Sequence, residues 1–190
     1  MYLDLGDGWF GRQQRKSLIE EYPYLQPRKA MTGEVHLDYD YDFIVGEYDL
    51  PKGWLDLFLQ MCEDIKVPLE KAGLLNDFRF LQVKEKFGQL RAYNTSGTEE
   101  VYDIISKYEF LSEQVCCMCG KPATAMTRGW ICPFCEEHTK NFTIRGEIVD
   151  PIEIKTEVIR KRYHNGTSIE TVINCKDEWT RYLKRIGYSE

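Results

Sequence analysis

Apolar side chains recur at helical spacing in a stretch that begins at Pro51. The apolar positions that follow are Trp54, Leu55, Phe58, Met61, Cys62 and Ile65. Intervals of three and four residues place such side chains on one face of a helix. Because proline lacks the amide hydrogen that a helix interior needs, we expect Pro68 to break or kink this helix, with Gly73 as its C-terminal stop.

A second helix is predicted just before a cluster of cysteines. Its apolar stripe consists of Val101, Ile104, Ile105, Tyr108, Leu111 and Val115. Ser96 or Thr98 can accept hydrogen bonds from the free amides at its start, where Glu99 and Glu100 suit the positive end of the helix dipole. The helix runs directly into Cys116. We therefore expect the cysteine cluster to be mounted on the end of a packed element.

Runs of β-branched and aromatic residues predict two hairpins. The first pairs residues 78–83 with 90–93 around a turn at Gly88, and the second folds around residues 164–166. A closing amphipathic helix is predicted over residues 176–186. Together these elements predict an α+β fold, in which two helices pack on a small antiparallel sheet, with an inserted zinc-ribbon-like lobe and a C-terminal β-hairpin plus helix.

Near the N-terminus, acidic and aromatic residues alternate with the two-residue period of a strand. The alternating positions are Asp38, Tyr39, Asp40, Tyr41, Asp42 and Phe43. We expect four parts in the chain: an N-terminal extension with this acidic-aromatic strand (1–50), a helix-hairpin-helix core (51–115), a zinc-binding lobe (116–138), and a C-terminal hairpin and helix (139–190).

Composition and charge narrow the class of protein. With 43% hydrophobic and 29% charged residues in 190, the chain has the composition of a soluble globular protein. It contains no apolar run of the ~20 residues that cross a bilayer. The formal net charge is −6, and residues 1–50 hold 5 basic and 10 acidic side chains. Nucleic-acid binders are typically basic, so protein partners are favoured.

Five cysteines and one histidine lie between Cys116 and His138. Cys116 and Cys119 form one C-x-x-C pair, and Cys132 and Cys135 form another about a dozen residues later, the spacing at which four thiolates bind one zinc ion. In a reducing cytosol such cysteines are metal ligands rather than disulfides. His138 follows Cys135 by three residues, so it competes with Cys132 for the fourth position. A site closed by four protein ligands predicts one structural zinc ion.

Other residues suggest alternative chemistry. Asp38, Asp40 and Asp42 are candidates for a metal-dependent nuclease site, or for an acidic edge that meets a basic partner. A charged edge strand that keeps the protein soluble is the simpler explanation of these aspartates, and it is favoured. A nucleic-acid-binding zinc protein is a further alternative, and its contacts are predicted at Arg128, Trp130, Arg160, Lys161 and Arg162.

Three stretches of the chain carry a likeness to other sequences. They are Gly53 to Cys62, which begins with GW; LQVKEKFGQLRAY, which ends at Tyr93; and Cys116 to His138, which contains CCMCG and ICPFCEEH. In this order they resemble an uncharacterised family of small zinc-cluster proteins encoded by bacteriophages and prophages. The C-x-x-C and later C-x-x-H pattern of that family implies Cys116, Cys119, Cys135 and His138 as ligands. Cys132 departs from it.

The resemblance implies a setting, not an activity. We expect a non-catalytic phage accessory protein in the cytoplasm of a bacterial host. Its partner is expected to be a host protein or a protein–nucleic-acid complex, and inhibition of a host defence system is the concrete form of this hypothesis. The contact surface is predicted on the acidic-aromatic strand, at Asp38, Tyr39, Asp40, Tyr41 and Asp42.

Overall fold

A computed structural model describes residues 18–26, 28–29, 32–35, 50–144, 149–164 and 167–188. The helices are α1 (Leu55–Lys71), α2 (Glu99–Ser112), α3 (Glu136–Ile144) and α4 (Lys176–Arg185). The strands are β1 (Phe80–Lys86), β2 (Gln89–Asn94), β3 (Ala125–Thr127), β4 (Pro133–Phe134), β5 (Val149–Pro151), β6 (Glu157–His164) and β7 (Thr167–Asn174). Short 3-10 turns precede α1 at Pro23–Leu25 and Lys52–Trp54.

The described strands form three small antiparallel sheets. Their orders are β1-β2, β4-β3-β5 and β6-β7. Helices and small antiparallel sheets together confirm the predicted α+β class. The predicted acidic-aromatic strand, with Asp38, Tyr39, Asp40, Tyr41 and Asp42, lies outside the described residues.

The break that was one of the two outcomes predicted at Pro68 does not occur, because α1 continues through that residue to its end at Lys71. Proline removes one helical hydrogen bond here, close to the end of the helix, and its side chain is buried. The stop at Gly73 is confirmed. Gly73 has a φ of 68°, and the amide of Leu74 donates to the carbonyl of Leu69 at 2.9 Å, as in a Schellman motif.

Helix α1 supplies the centre of the hydrophobic core. Its apolar face packs with the inner sides of α2 and of the β1-β2 hairpin, and the buried set includes Trp54, Leu57, Phe58, Met61, Ile65, Phe80, Val83, Leu90, Val101, Tyr108 and Leu111. Tyr24 joins this core edge-on to Phe78 and Phe80, and its hydroxyl donates to the carbonyl of Cys62 at 2.5 Å. The residues before α1 therefore help to cover it.

A polar network ties α4 to α1 and α2. The buried amide of Gln60 donates to the Tyr108 hydroxyl at 2.9 Å and to the Glu178 carbonyl at 3.0 Å. Asp64 accepts a 2.5 Å hydrogen bond from Tyr108 and two from Arg181, at 2.7 and 2.6 Å. Burial and the bond to Asp64 raise the pKa of Tyr108, so its hydroxyl keeps the proton it donates. The C-terminal helix is thus held by directional bonds as well as by apolar packing.

The β1-β2 hairpin is closed by a two-residue turn, Phe87 and Gly88. Both have positive φ, 55° and 78°, as a type I′ turn requires. Side chains of α2 cover the open edge of β2: Ser112 accepts from the amide of Leu90 at 2.8 Å, and Glu109 accepts from Ala92 at 3.0 Å. None of the described helices combines the length and apolar character of a membrane span.

Of the two predicted caps of α2, Thr98 is the one that forms. Its hydroxyl accepts from the amide of Val101 at 3.3 Å. We expect Thr98→Ala to lower the free energy of unfolding by about 1 kcal/mol, because that amide loses its partner. Ser96→Ala is the matched control and is expected to change it by less than about 0.5 kcal/mol. Urea unfolding followed by circular dichroism measures both, and equal effects would contradict the assignment.

Candidate metal centre

Four side chains that are potential metal ligands converge in the lobe that follows α2. They are Cys116, Cys119, Cys135 and His138, whose ligand atoms all lie within 4.8 Å of one another. The two sulfurs of Cys119 and Cys135 are 3.7 Å apart. The Nδ1 atom of His138 lies 3.5 Å from the sulfur of Cys116 and 3.2 Å from that of Cys135. All seven cysteines are free thiols, so no disulfide competes for these sulfurs.

The first two ligands lie on a tight turn directly after α2. The amide of Cys116 donates to the carbonyl of Lys121 at 2.8 Å, and the amide of Gly120 donates back to the Cys116 carbonyl at 2.9 Å. Gly120 has a φ of 79°, which a glycine adopts without strain. This fold of the chain aims backbone amides of Met118 and Cys119 at the Cys116 sulfur.

The electrostatics of this turn favour neutral thiols when no cation is bound. Burial raises the pKa of Cys116 to about 12, although the backbone hydrogen bonds to its sulfur act in the opposite direction. Burial also raises the pKa of Cys119. The amides stabilise a thiolate but do not offset its desolvation, so a bound cation would be needed to hold these sulfurs as thiolates.

The other two ligands come from the junction between β4 and α3. Cys135 directly follows β4, and its carbonyl accepts the amide of Thr139 at 2.8 Å, which begins the helix. His138 lies in the first turn of α3, three residues after Cys135, so its ring reaches back to the Cys135 sulfur. Strand β5 pairs with β3 in register Ala125↔Pro151. The lobe therefore extends beyond the cluster into the C-terminal third of the chain.

Of the two candidates for the fourth ligand, the structure brings in His138 and leaves Cys132 outside the cluster. Cys132 belongs to the β3-β4 turn, where its amide donates to the Thr127 hydroxyl at 3.0 Å. The neighbouring thiol of Cys117 lowers the pKa of Cys132, and in turn the pKa of Cys117 is raised by Cys132 and by burial. Both side chains are buried. These two cysteines therefore form a separate pair beneath the candidate site.

The metal-ligand turn is fixed to the rest of the protein by a contact between backbones. The amide of Gly53 donates to the carbonyl of Cys117 at 2.9 Å. A Cβ atom at Gly53 would lie 2.1 Å from the Cys116 oxygen, and one at Gly120 would lie 2.9 Å from the Gly53 oxygen. The Trp54 ring nitrogen donates to the Val115 carbonyl at 2.8 Å. Gly53 and Trp54, directly before α1, thus hold the metal-ligand turn in place.

Helix α4 reaches the same turn from the other side. The buried hydroxyl of Tyr182 donates to the carbonyl of Gly120 at 2.6 Å. The amphipathic pattern that predicts the closing helix did not reveal this role of Tyr182. Its signal was a phenol on an otherwise apolar stripe, because a buried tyrosine hydroxyl needs a hydrogen-bond partner.

The basic residues at the surface of the lobe are paired with carboxylates, whereas Trp130, a predicted nucleic-acid contact, is exposed. Arg128 forms two hydrogen bonds with the carboxylate of Asp150, which lower the pKa of Asp150. Lys121 lies 3.4 Å from Glu137. Trp130 is 78% exposed at the tip of the β3-β4 turn. The predicted basic run lies in β6, where Arg160, Lys161 and Arg162 pair with Thr171, Glu170 and Ile169.

Comparison of the chain with protein-family models, with curated proteins and with solved structures found no match. The chemistry of the site therefore has to be inferred from its own residues. Two thiols, Cys116 and Cys135, are buried, while Cys119 is exposed and His138 is half-buried. Four protein ligands complete a tetrahedral coordination sphere, which has no open position for a substrate.

Gly53→Ala tests the contact between backbones. The new methyl group meets a carbonyl oxygen that no rotamer change can move, so we expect the free energy of unfolding to fall by about 3 kcal/mol. Gly97→Ala is the control, since its Cβ would meet side chains and no backbone atom: the Phe78 ring at 3.3 Å and Val101 Cγ1 at 3.4 Å. That change is expected to stay below about 1 kcal/mol. If Gly53→Ala has the same free energy of unfolding as the wild type in urea, Gly53 does not hold the metal-ligand turn in place.

Proposed function

We propose that this protein is a zinc-stabilised, non-catalytic binding protein. The observation that carries this proposal is the spacing of the four ligand atoms. A tetrahedral zinc ion, bound about 2.3 Å from sulfur and 2.0 Å from nitrogen, holds two sulfurs about 3.8 Å apart and a sulfur and a nitrogen about 3.5 Å apart. The separations of 3.7, 3.5 and 3.2 Å are close to those values. Thiolate and imidazole donors also favour zinc over hard cations.

The location of the ligands supports a structural role for zinc. One pair follows α2 and rests on the start of α1, whereas the other joins β4 to α3. A bound ion would therefore connect the helical core to the lobe, in a part of the chain with only short strands. Metal binding of this kind contributes directly to folding free energy.

Cys119→Ser tests the zinc proposal with little disturbance of packing, because Cys119 is exposed. We expect about one zinc ion per chain in the wild type and much less in this variant. Elemental analysis measures the metal content, and a thermal melt with and without a chelator measures its effect on stability. The melting temperature should fall with chelator in the wild type, but change little in Cys119→Ser.

Cys132→Ser is the matched control for the metal content. Cys132 is a cysteine of the same lobe that lies outside the set of four, so its variant is expected to keep its zinc. Full zinc in Cys119→Ser, or loss of zinc in Cys132→Ser, would contradict the ligand set.

For the partner, we propose a host protein or a protein–nucleic-acid complex, bound by a phage accessory protein. The negative net charge supports a protein partner. So does the β6-β7 hairpin, on which Ile159 and Val172 lie directly opposite each other and are 58% and 57% exposed. An exposed aliphatic pair on a two-stranded hairpin suits a protein surface, because such a hairpin is marginal alone. The proposed consequence of binding is inhibition of a host defence system.

A pull-down from bacterial lysate, with and without nuclease treatment, tests this partner. The variants are Ile159→Ser with Val172→Ser, and Asp38→Asn with Asp40→Asn and Asp42→Asn. We expect a nuclease-resistant protein that the wild type retains and at least one variant loses. Val67→Ser is the control, because Val67 is 50% exposed on α1. Retention of the same protein by every variant would contradict both proposed surfaces.

The same preparation addresses the nuclease alternative. If the aspartates at 38, 40 and 42 formed a metal-dependent nuclease, magnesium or manganese would switch on cleavage of DNA or RNA, and Asp40→Asn would abolish it. We expect no cleavage by metal-replete protein.

A further inference from the structure

The outer face of the β1-β2 hairpin carries basic and aromatic side chains together. The register sets Lys84 opposite Arg91 and Gln82 opposite Tyr93, whereas the alternate pair, Val83 and Ala92, is buried in the core. Lys84, Arg91 and Tyr93 therefore share the face that points to solvent. Residues 80–94 hold three basic side chains and one acidic one, in a chain of net charge −6. The hairpin is a local basic region on an acidic protein.

Phe87, at the tip of this hairpin, is unfavourable for the folded chain in two respects. Its side chain is 73% exposed, and its φ of 55° places a bulky residue in the left-handed region. Asparagine or glycine is the usual occupant of this position in a type I′ turn. A phenylalanine here lowers stability and solubility without packing in the core, and backbone strain of this kind is concentrated at functional sites.

Trp130 extends the same surface from the metal-binding lobe. The backbone of the hairpin turn packs on Ile131, since a Cβ at Gly88 would lie 2.8 Å from the Ile131 Cγ2 atom. Trp130, the preceding residue, is 78% exposed. Two neighbouring turns thus each present a large aromatic side chain to solvent. We call Lys84, Lys86, Phe87, Arg91, Tyr93 and Trp130 the aromatic-basic surface.

The lysines of this surface lie against rings instead of carboxylates. The Nζ atom of Lys84 is 5.5 Å from the centroid of the Tyr93 ring, and that of Lys86 is 5.8 Å from the centroid of Phe87. Within the described residues neither forms an ion pair with an acidic side chain, whereas Arg91 lies 3.6 Å from Glu109. Two positive charges therefore lie beside exposed rings, and no carboxylate in the described part of the chain pairs with either of them.

We propose that the aromatic-basic surface binds single-stranded nucleic acid. Unpaired bases stack on Phe87, Tyr93 and Trp130, while Lys84 and Lys86 contact the backbone phosphates. Alternation of stacking rings and cations is what a single strand needs, because its bases expose their flat faces and its phosphates repeat along it. A duplex already stacks its own bases, and an acidic peptide would engage the lysines but not three rings. This inference goes beyond the proposed protein partner, since it concerns a different surface.

Fluorescence anisotropy with a labelled mixed-sequence DNA or RNA strand of about 15 nucleotides tests the proposal, since single-strand sites span ~4–16 nucleotides. We expect binding that weakens as salt rises from about 50 to 200 mM. Trp130→Ala is expected to lower the affinity about tenfold, as loss of one stacked base does. Unlabelled duplex of the same sequence should compete poorly.

Phe87→Asn separates binding from structure. Asparagine tolerates the left-handed conformation, so the variant is expected to melt at a higher temperature than the wild type while its affinity for the strand falls about tenfold. A purely structural role for Phe87 predicts the reverse, namely lower stability with unchanged binding.

Lys84→Gln with Lys86→Gln tests the phosphate contacts. Loss of two such contacts should reduce the slope of log affinity against log salt by about 1.4. Lys71→Gln with Lys176→Gln is the control of equal charge, because both lysines are exposed elsewhere, and it should keep the wild-type slope.

Three results would overturn the proposal. They are no binding of the strand at about 50 mM salt, equal binding by wild type and the surface variants, or capture through this surface of a protein from nuclease-treated lysate. Each is independent of the zinc content and of the β6-β7 hairpin variants. Failure here is therefore distinguishable from failure of the proposed function.

Discussion

The contact between Gly53 and the Cys116–Gly120 turn is the constraint on which the rest of the structure depends. Two backbones meet there with no room for a side chain on either: the Gly53 amide donates to Cys117, and Gly53 and Gly120 face each other. Trp54 and Tyr182 bond carbonyls on either side of the contact, Val115 and Gly120. The start of α1, the end of α2 and the middle of α4 are therefore aligned on one short turn. Because that turn also carries two of the four candidate ligands, a metal ion bound there would stabilise the helical core, and the core would hold the ligands in place.

This coupling explains how a small lobe with short strands keeps a defined position. Strands β3, β4 and β5 are two or three residues long. Such strands bury too little surface to be stable alone. The ligand cluster, the buried Cys117 and Cys132 pair and the hydrogen bonds of Thr127 to the β3-β4 turn supply the missing constraints. The exposed Trp130 therefore lies on a turn that internal hydrogen bonds hold in one conformation. This turn is next to the strained turn of Phe87. A stacking surface requires rings that are held in place before the ligand arrives, because ordering them on binding would oppose affinity.

The surface of the metal-binding lobe and the outer face of the β1-β2 hairpin differ in how their cations are paired. Exposed ion pairs join Arg128 to Asp150 and Lys121 to Glu137, and such pairs add little to stability. Their effect is to remove cations from the outer side of the metal lobe, which weakens the case for Arg128 as a phosphate contact. The outer face of β1-β2 keeps its lysines against rings. The whole chain has a negative net charge, but the β1-β2 hairpin has an excess of basic side chains.

Local patterns along the chain were enough to predict much of the fold. Three-and-four spacing marked α1, α2 and α4, a positive-φ glycine ended α1, and the C-x-x-C spacing located the metal lobe, because each depends on neighbours within a few residues. The sequence also placed His138 and Cys132 in competition, but could not choose, since both lie within three residues of Cys135. Only the tertiary structure decided this, by turning Cys132 toward Cys117 and the first turn of α3 toward the other sulfurs. The tertiary structure also decided that α1 tolerates Pro68, that Gly53 contacts the metal-ligand turn, and that the turns of Phe87 and Trp130 are neighbours. Each of these depends on packing between segments far apart in the chain, which no local pattern records.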